Sequence, residues 1–101
     1  MAQEFSDFRS FYGFYLSEHR NRCNRRLHFI GSGLVLLTLL GVLVSHWWWG
    51  FILMPVFGYG FAWVGHFFFE KNRPATFKYP LRSLAGDWVM FRDILLRRIP
   101  F

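Results

Sequence analysis

The longest uncharged stretch of this chain runs from Phe29 to Phe69, which is 41 consecutive residues without Lys, Arg, Asp or Glu. A helix that crosses the hydrocarbon core of a bilayer needs about 20 apolar residues. The stretch therefore predicts two short membrane spans, at 29–45 and 51–69, joined by a tight turn. Three consecutive Trp residues lie in that turn. Because Trp favours the level of the lipid headgroups, the turn should lie at one face of the membrane.

The composition favours a small integral membrane protein with one domain, 1–101. Of its 101 residues, 53% are hydrophobic and 18% are charged. A water-soluble domain of this size exposes too much of its surface to bury so many apolar residues. The single cysteine excludes an intramolecular disulfide framework. The alternative is a helical hairpin buried inside a soluble bundle, but the chain offers no further segment that would cover it.

Amphipathic helices are predicted on both sides of the hairpin, at about 5–19 and 80–98. In each, apolar residues recur at intervals of three and four, which places them on one helical face. These faces comprise Phe5, Phe8, Tyr12 and Tyr15 in the first helix, and Leu81, Leu84, Trp88, Phe91 and Leu95 in the second. The helices lie at the membrane surface, or they pack on each other or on a second copy of the chain. The expected fold is thus an all-α membrane protein with a two-span hairpin flanked by amphipathic helices.

Basic residues set the expected orientation. Lys and Arg number 12 against 6 Asp and Glu, so the net charge is +6. Arg residues precede the first span and Lys and Arg follow the second, whereas the Trp turn has none, so both termini should face the cytoplasm. This pattern suits a bacterial inner membrane or an endoplasmic reticulum. No nucleic-acid recognition fold accompanies the basic residues, so membrane lipid is the expected partner rather than nucleic acid.

Three of the four histidines are predicted to meet at one membrane level. His28 precedes the first span, and His66 is near the end of the second, so the hairpin returns His66 to the level of His28. His19 lies on the apolar face of the preceding helix, close to this end. His46 is 18 residues after His28, which is about 27 Å along a helix, so it lies at the opposite face. Three neutral imidazoles leave positions open on a divalent metal, as catalytic sites require.

Polar residues gather at the same end of the predicted hairpin. Asn24 lies four residues before His28, Glu70 four residues after His66, and Asp87 interrupts the apolar side of the last helix. Metal-bound histidines usually donate their second N–H to a carboxylate or carbonyl. These residues are candidates for that role, and Glu70 is also a candidate direct ligand. The alternative for all three is helix capping or surface pairing. By ligand type alone, iron, zinc and manganese remain open.

Two motifs around these residues resemble the 2-hydroxy fatty acid dioxygenase family. The first reads Phe11-Tyr12-Gly13-Phe14-Tyr15, then His19-x4-Asn24-Arg25-x2-His28-x2-Gly31. The second reads Trp63-x2-His66-Phe67-x2-Glu70-Lys71-Asn72-Arg73-Pro74-Ala75, then Pro80-x2-Ser83-x3-Asp87-x2-Met90. The resemblance implies a small membrane enzyme of fatty acid alpha-oxidation in phytosphingosine (sphingolipid) metabolism. It also implies ferrous iron, Fe(II), held by His19, His28 and His66.

The reaction that this resemblance implies shortens a 2-hydroxy fatty acid by one carbon, with O2 as the co-substrate and release of CO2. The acid would chelate iron through its carboxylate and hydroxyl, and its acyl chain would lie along the apolar hairpin. Arg25 and Arg26 are candidates for holding the carboxylate, since Arg suits carboxylate recognition; the alternative is that they only set topology. Other readings are a non-enzymatic membrane scaffold or lipid-binding subunit and a bis-histidine haem carrier. Homo-oligomerisation stays open.

Overall fold

A computed structural model describes residues 5–101, and the regular secondary structure of these residues is entirely helical, without a β-strand. The all-helical fold expected from the sequence is confirmed. The α-helices are α1 (Phe8–Ser17), α2 (Arg22–Ser45), α3 (Leu53–Val64) and α4 (Pro80–Leu95). Two short 3-10 helices (Trp48–Ile52 and Ala75–Phe77) and a π-helical segment (Gly65–Glu70) complete the order.

The first long helix begins well before the uncharged stretch. Asn21 caps α2, since its side-chain oxygen accepts hydrogen bonds from the backbone N–H groups of Cys23 and Asn24 at 2.8 and 3.3 Å. The helix ends at His46, which adopts the left-handed conformation with φ 60°. The predicted span 29–45 is therefore the apolar part of a longer helix. Loss of charge marks where a span begins, whereas the cap marks where the helix begins.

Among residues 5–101, two helical stretches are long and apolar enough to cross a membrane. One is α2, with 24 residues and a mean hydropathy of 2.3. The other runs from Trp48 to Glu70, with 23 residues and a mean hydropathy of 1.5, and combines the 3-10 turn, α3 and the π-helical segment. The three Trp residues lie at the connection, as predicted from the sequence.

Glycines let these two stretches pack closely. A Cβ added at Gly31 would come within 2.9 Å of the Phe57 carbonyl oxygen, so only glycine allows this approach. Gly58 faces Val35, and Gly50 faces Val42 near the turn. Contacts thus pair later residues of α2 with earlier residues of the second stretch. The two stretches are antiparallel.

The flanking helices α1 and α4 pack on each other. Their shared core consists of Phe11, Tyr15, Met90 and Ile94, all 5% exposed or less. Gly86 makes the close approach possible, since a Cβ there would lie 2.9 Å from the ring of Tyr15.

The apolar face predicted for the second flanking helix is not the face that α1 covers. Leu81 is 81% exposed and Leu95 62% exposed. The face towards α1 instead carries small and polar residues as well as Met90 and Ile94. Periodicity identifies an apolar face, but it cannot tell a face that packs on protein from one that packs on lipid.

Candidate metal centre

Three different elements bring the histidine cluster, His19, His28 and His66, together. His19 lies in the short connection after α1, where its backbone N–H bonds the Leu16 carbonyl at 3.0 Å. His28 lies in the second turn of α2, and His66 in the π-helical segment. Their exposed fractions are 1%, 6% and 1%. The convergence predicted from membrane depth is therefore present in the structure.

The three imidazole rings surround one point. Their centroids are 4.5 Å apart for His19–His28, 4.5 Å for His19–His66 and 4.9 Å for His28–His66. The ring planes are almost mutually perpendicular, at 83°, 78° and 89°. One nitrogen of each ring lies within 4.8 Å of the others. Such a group could hold a metal ion.

The outer nitrogen of His19 is a donor. Its Nδ1 lies 2.6 Å from the backbone carbonyl oxygen of Tyr15. A carbonyl oxygen only accepts hydrogen bonds, so Nδ1 carries the proton and Nε2 keeps its lone pair.

The outer nitrogen of His66 is fixed through Asn72. His66 Nδ1 lies 2.7 Å from Asn72 Oδ1, and the amide nitrogen of Asn72 donates to the Glu18 carbonyl oxygen at 3.1 Å. That second bond orients the amide, because only its nitrogen can donate to a carbonyl. His66 Nδ1 is therefore the donor, and its Nε2 is free to bind a cation.

Asp87 faces the outer nitrogen of His28. Its Oδ1 lies 3.5 Å from His28 Nδ1, and the same oxygen accepts a hydrogen bond from the hydroxyl of Tyr15. A carboxylate on this side favours the proton on Nδ1, as in metal sites where a carboxylate orients a histidine. Burial, followed by the charge of Asp87, raises the pKa of Tyr15 well above its usual value, so the hydroxyl stays protonated and donates.

The inner nitrogens fit a bound cation. His19 Nε2 and His28 Nε2 are buried without a hydrogen-bond partner. Burial, followed by the neighbouring His28 and His66, lowers the pKa of His19 well below its usual value, so its ring is neutral at neutral pH. A neutral imidazole with a buried, unpartnered lone pair is the form that binds a divalent metal. Without a bound cation, these two buried nitrogen acceptors would lack any partner and would lower the stability of the fold.

A very small cavity adjoins the three rings. A cavity of about 10 Å³ is lined by all three histidines together with Tyr59, Ser83 and Asp87. Such a volume accommodates about one water molecule or one ion. Ser83 is 1% exposed, and its hydroxyl has no hydrogen-bond partner.

The structure brings the predicted polar residues to this end of the molecule, but with different contacts. Asp87 lies beside the ring of His28, with 3.5 Å between Asp87 Oδ1 and His28 Nδ1. Glu70 instead accepts hydrogen bonds from the Asn21 backbone N–H at 2.8 Å and from the Asn24 amide at 3.2 Å. A carboxylate at the start of a helix meets free N–H groups and the positive end of the helix dipole. The contacts of Glu70 are therefore those of a residue that caps a helix, which was the alternative to a role at the metal.

Asn24 is fully buried between α2 and the π-helical segment. It is 0% exposed, and a Cβ at Gly65 would lie 2.1 Å from its Oδ1. Asn24 therefore holds the two stretches together beside the histidine cluster and has no hydrogen bond to a ring. The ligand group in the described residues consists of the three histidines alone.

Arg25, Arg26 and His46 do not line the histidine cavity. Arg25 donates to the carbonyl oxygens of His19 and Arg20, at 3.4 and 3.2 Å. The guanidinium of Arg26 lies 4.9 Å from the centre of the Phe101 ring. His46 ends α2 beside Trp48, about 27 Å along the helix from His28.

Asn72 has a role that the sequence pattern does not predict. It belongs to the second motif, and in the structure it orients His66. It reaches back because Lys71 adopts the left-handed conformation with φ 64° and reverses the chain. The sequence does contain one signal for this contact. Asn72 follows directly after the charged end of a helix, and an Asn side chain at such a place favours a turn.

The fold and this site define an all-helical protein with a buried three-histidine group that could bind a metal. A family model described as 2-hydroxy-palmitic acid dioxygenase Mpo1-like matches residues 5–99, so the chain belongs to this family. The resemblance stated from the two motifs is thereby confirmed. No curated protein matches the chain. No solved structure matches it either.

Proposed function

We propose that this protein is a membrane-embedded, iron(II)-dependent dioxygenase that removes one carbon from 2-hydroxy fatty acids. The substrate and one O2 give the shortened fatty acid, CO2 and water, and this equation balances without a further co-substrate. The supporting observation is the histidine cluster, with its inner nitrogens facing an ion-sized cavity, in a chain of the 2-hydroxy-palmitic acid dioxygenase family.

The three Nε2 atoms are the proposed ligands. Three protein ligands leave open positions on a six-coordinate ion, which suit the carboxylate and hydroxyl of a 2-hydroxy acid and O2. Iron(II) supplies the redox chemistry that O2 requires. The donor set itself, three neutral imidazoles, also suits zinc and manganese, so the choice of iron rests on the family.

The surrounding residues are proposed to hold the rings in place. The Tyr15 carbonyl, Asn72 and Asp87 each face one Nδ1 atom, which aims each Nε2 inward. Outer partners of this kind typically affect metal affinity or activity by about 10–100-fold. The carboxylate of Asp87 also lines the cavity, where it is held by the hydroxyl of Tyr15.

A membrane location is proposed because apolar side chains on the two long stretches face outward. Only 17% of the most apolar 18-residue window of each stretch is buried. Leu37 is 65% exposed, Val44 74% and Trp49 74%. An apolar surface of this extent needs lipid or another partner to cover it. Basic residues flank the end with the histidine cluster, so both termini and the cluster are proposed to lie on the cytoplasmic side.

The test is an assay on protein purified in detergent and loaded anaerobically with iron(II). A 2-hydroxy fatty acid such as 2-hydroxyhexadecanoic acid is supplied under air and under nitrogen, and products are measured by mass spectrometry. We expect a fatty acid one carbon shorter only under air. The fatty acid without the 2-hydroxyl is the matched substrate control and should stay unchanged.

The variant His46→Ala serves as the protein control, because His46 lies at the far end of α2 and should be dispensable. The variant His66→Ala should be inactive. If iron-replete wild-type protein forms no shortened product at any chain length, a non-enzymatic scaffold explains the fold better than an enzyme.

A further inference from the structure

The cavity lined by the histidine cluster is too small for an organic substrate. Its volume is about 10 Å³, whereas a second cavity of about 230 Å³ lies directly beside it. The two cavities share His28, Tyr59 and Asp87 in their walls. A molecule in the larger cavity would therefore meet the cluster at the side of His28.

The larger cavity changes in chemical character along its length. Its end at the cluster carries the polar groups of His28 and Asp87. Its remaining wall is mainly apolar, and includes Val35, Met54 and Pro55 from the long stretches and Leu84 and Trp88 from α4. The cavity thus lies between both long stretches and the last helix. A polar head beside the histidines and an apolar tail away from them match this distribution.

We propose that this cavity holds the first carbons of the acyl chain of a 2-hydroxy fatty acid, and that Gly58 keeps the passage open for the rest of the chain. This inference rests on the proposed function, since it names the place of the substrate of the same site. We call this space the acyl cavity.

The length of the acyl cavity follows from the register of α2. Val35 lies seven residues, or about 10 Å, beyond His28 along the helix, and a Cβ at Gly58 would face Val35 Cγ2 at 3.5 Å. An extended chain advances about 1.3 Å per carbon, given a C–C bond of about 1.5 Å. The distance from His28 to the level of Gly58 therefore corresponds to about eight carbons, and Met54 and Pro55 continue the cavity wall about one helical turn beyond Gly58.

The acyl cavity is also far larger than the one lined by the three histidines, with a volume of about 230 Å³ against about 10 Å³. Longer chains must pass Gly58, and a side chain at this position would stand in their way.

The first experiment compares substrates with chains of 8 and 16 carbons in the variant Gly58→Leu. We expect activity on the 8-carbon acid to persist, while the preference for the 16-carbon acid falls at least tenfold. Each methylene that loses its apolar surroundings weakens binding about fourfold. The exposure of a few methylenes is therefore sufficient for a tenfold fall in the preference. The milder variant Gly58→Ala should give a smaller change in the same direction, because its Cβ would meet only an ordinary contact.

The matched control is Gly60→Leu. Gly60 lies on the same helix, is exposed, and has no atom within 4 Å of an added Cβ. The control should keep the wild-type preference for chain length. An unchanged preference in Gly58→Leu and Gly58→Ala, with active wild-type protein, would overturn the acyl cavity and leave the proposed function standing.

The second experiment needs no turnover and uses wild-type protein. A 2-hydroxyhexadecanoic acid with a photoreactive diazirine at carbon 6 is cross-linked, and the sites are mapped by mass spectrometry. We expect labels on the cavity walls, at Leu84 or Trp88. A phosphatidylcholine with a diazirine in its acyl chain should label the outer face of α2, around Leu37 and Leu40.

These outcomes separate the two proposals. Cavity labels by the hydroxy acid without any shortened product would support the acyl cavity while the proposed reaction fails. Cavity labels by phosphatidylcholine alone would identify membrane lipid as the occupant and overturn the inference.

Discussion

Gly65 is the position where one added methyl group should disturb the histidine cluster most directly. A Cβ there would lie 2.1 Å from Asn24 Oδ1, 3.0 Å from its Cγ and 3.1 Å from its Cα. Asn24 cannot turn away easily, because it is fully buried and its amide donates to Glu70. The last of these three atoms belongs to the backbone of α2, which a change of side-chain rotamer cannot move. The variant Gly65→Ala must therefore push the π-helical segment away from α2.

The expected magnitude is a balance of two effects. Overpacking a close contact costs about 1–3 kcal/mol, and a clash with buried backbone belongs at the upper end. Alanine gains about 1 kcal/mol over glycine in a helix. The net loss should be about 2 kcal/mol, which corresponds to a fall in melting temperature of about 8–16 °C for a chain of this length. Because His66 follows Gly65 directly, iron affinity should fall as well.

The assay is thermal unfolding in detergent, combined with titration of iron(II) under nitrogen. The control variant is Gly60→Ala, where an added Cβ meets nothing within 4 Å. It should be as stable as wild type, or slightly more stable, with unchanged iron affinity. If Gly65→Ala matches Gly60→Ala in both measurements, the close packing of Asn24 against Gly65 does not position His66.

Two further variants separate residues that orient a ring from residues that support the fold. Asn72→Ala removes the acceptor of His66 Nδ1 and should lower iron affinity about 10–100-fold in titrations; Asn72→Asp keeps that acceptor and should lose less. Glu70→Gln removes the charge at the start of α2 and should cost about 1 kcal/mol in unfolding experiments. Iron stoichiometry should stay unchanged in Glu70→Gln, and its loss would mean that Glu70 acts on the metal itself.

The convergence of the histidines could be predicted because it depends on few physical quantities. The rise of a helix per residue and the thickness of a bilayer place His28 and His66 at one end and His46 at the other. Neither quantity depends on side-chain detail. The burial of all three residues and the distances between their rings follow from packing, which the sequence pattern does not express.

The partners of the rings were harder to predict. His19 is held by a backbone carbonyl, which every residue has, so no residue type marks it. Asn72 reaches His66 only because Lys71, a non-glycine residue, takes a left-handed conformation. Glu70 shares a helical face with His66, yet the free N–H groups of the neighbouring helix attract its carboxylate.

The orientation of α4 illustrates a further limit. The two ends of its most regular apolar face, Leu81 and Leu95, point outward, whereas Phe91 in the middle stacks on Phe29 of α2. Ser83, Gly86 and Met90 face α1 or the site. In a water-soluble protein the apolar face would be the buried one. Here the small residue Gly86 decides which face of α4 the helix α1 approaches, because a glycine admits the Tyr15 ring.

The most direct test of the three-histidine centre is the iron content of His66→Ala and His46→Ala beside wild type. Each protein is purified in detergent, loaded with iron(II) under nitrogen, freed of unbound metal and measured by elemental analysis. Wild type and His46→Ala should each hold about one ion per chain, and His66→Ala should hold almost none. Loss of iron from His46→Ala, or full iron content in His66→Ala, would contradict the site.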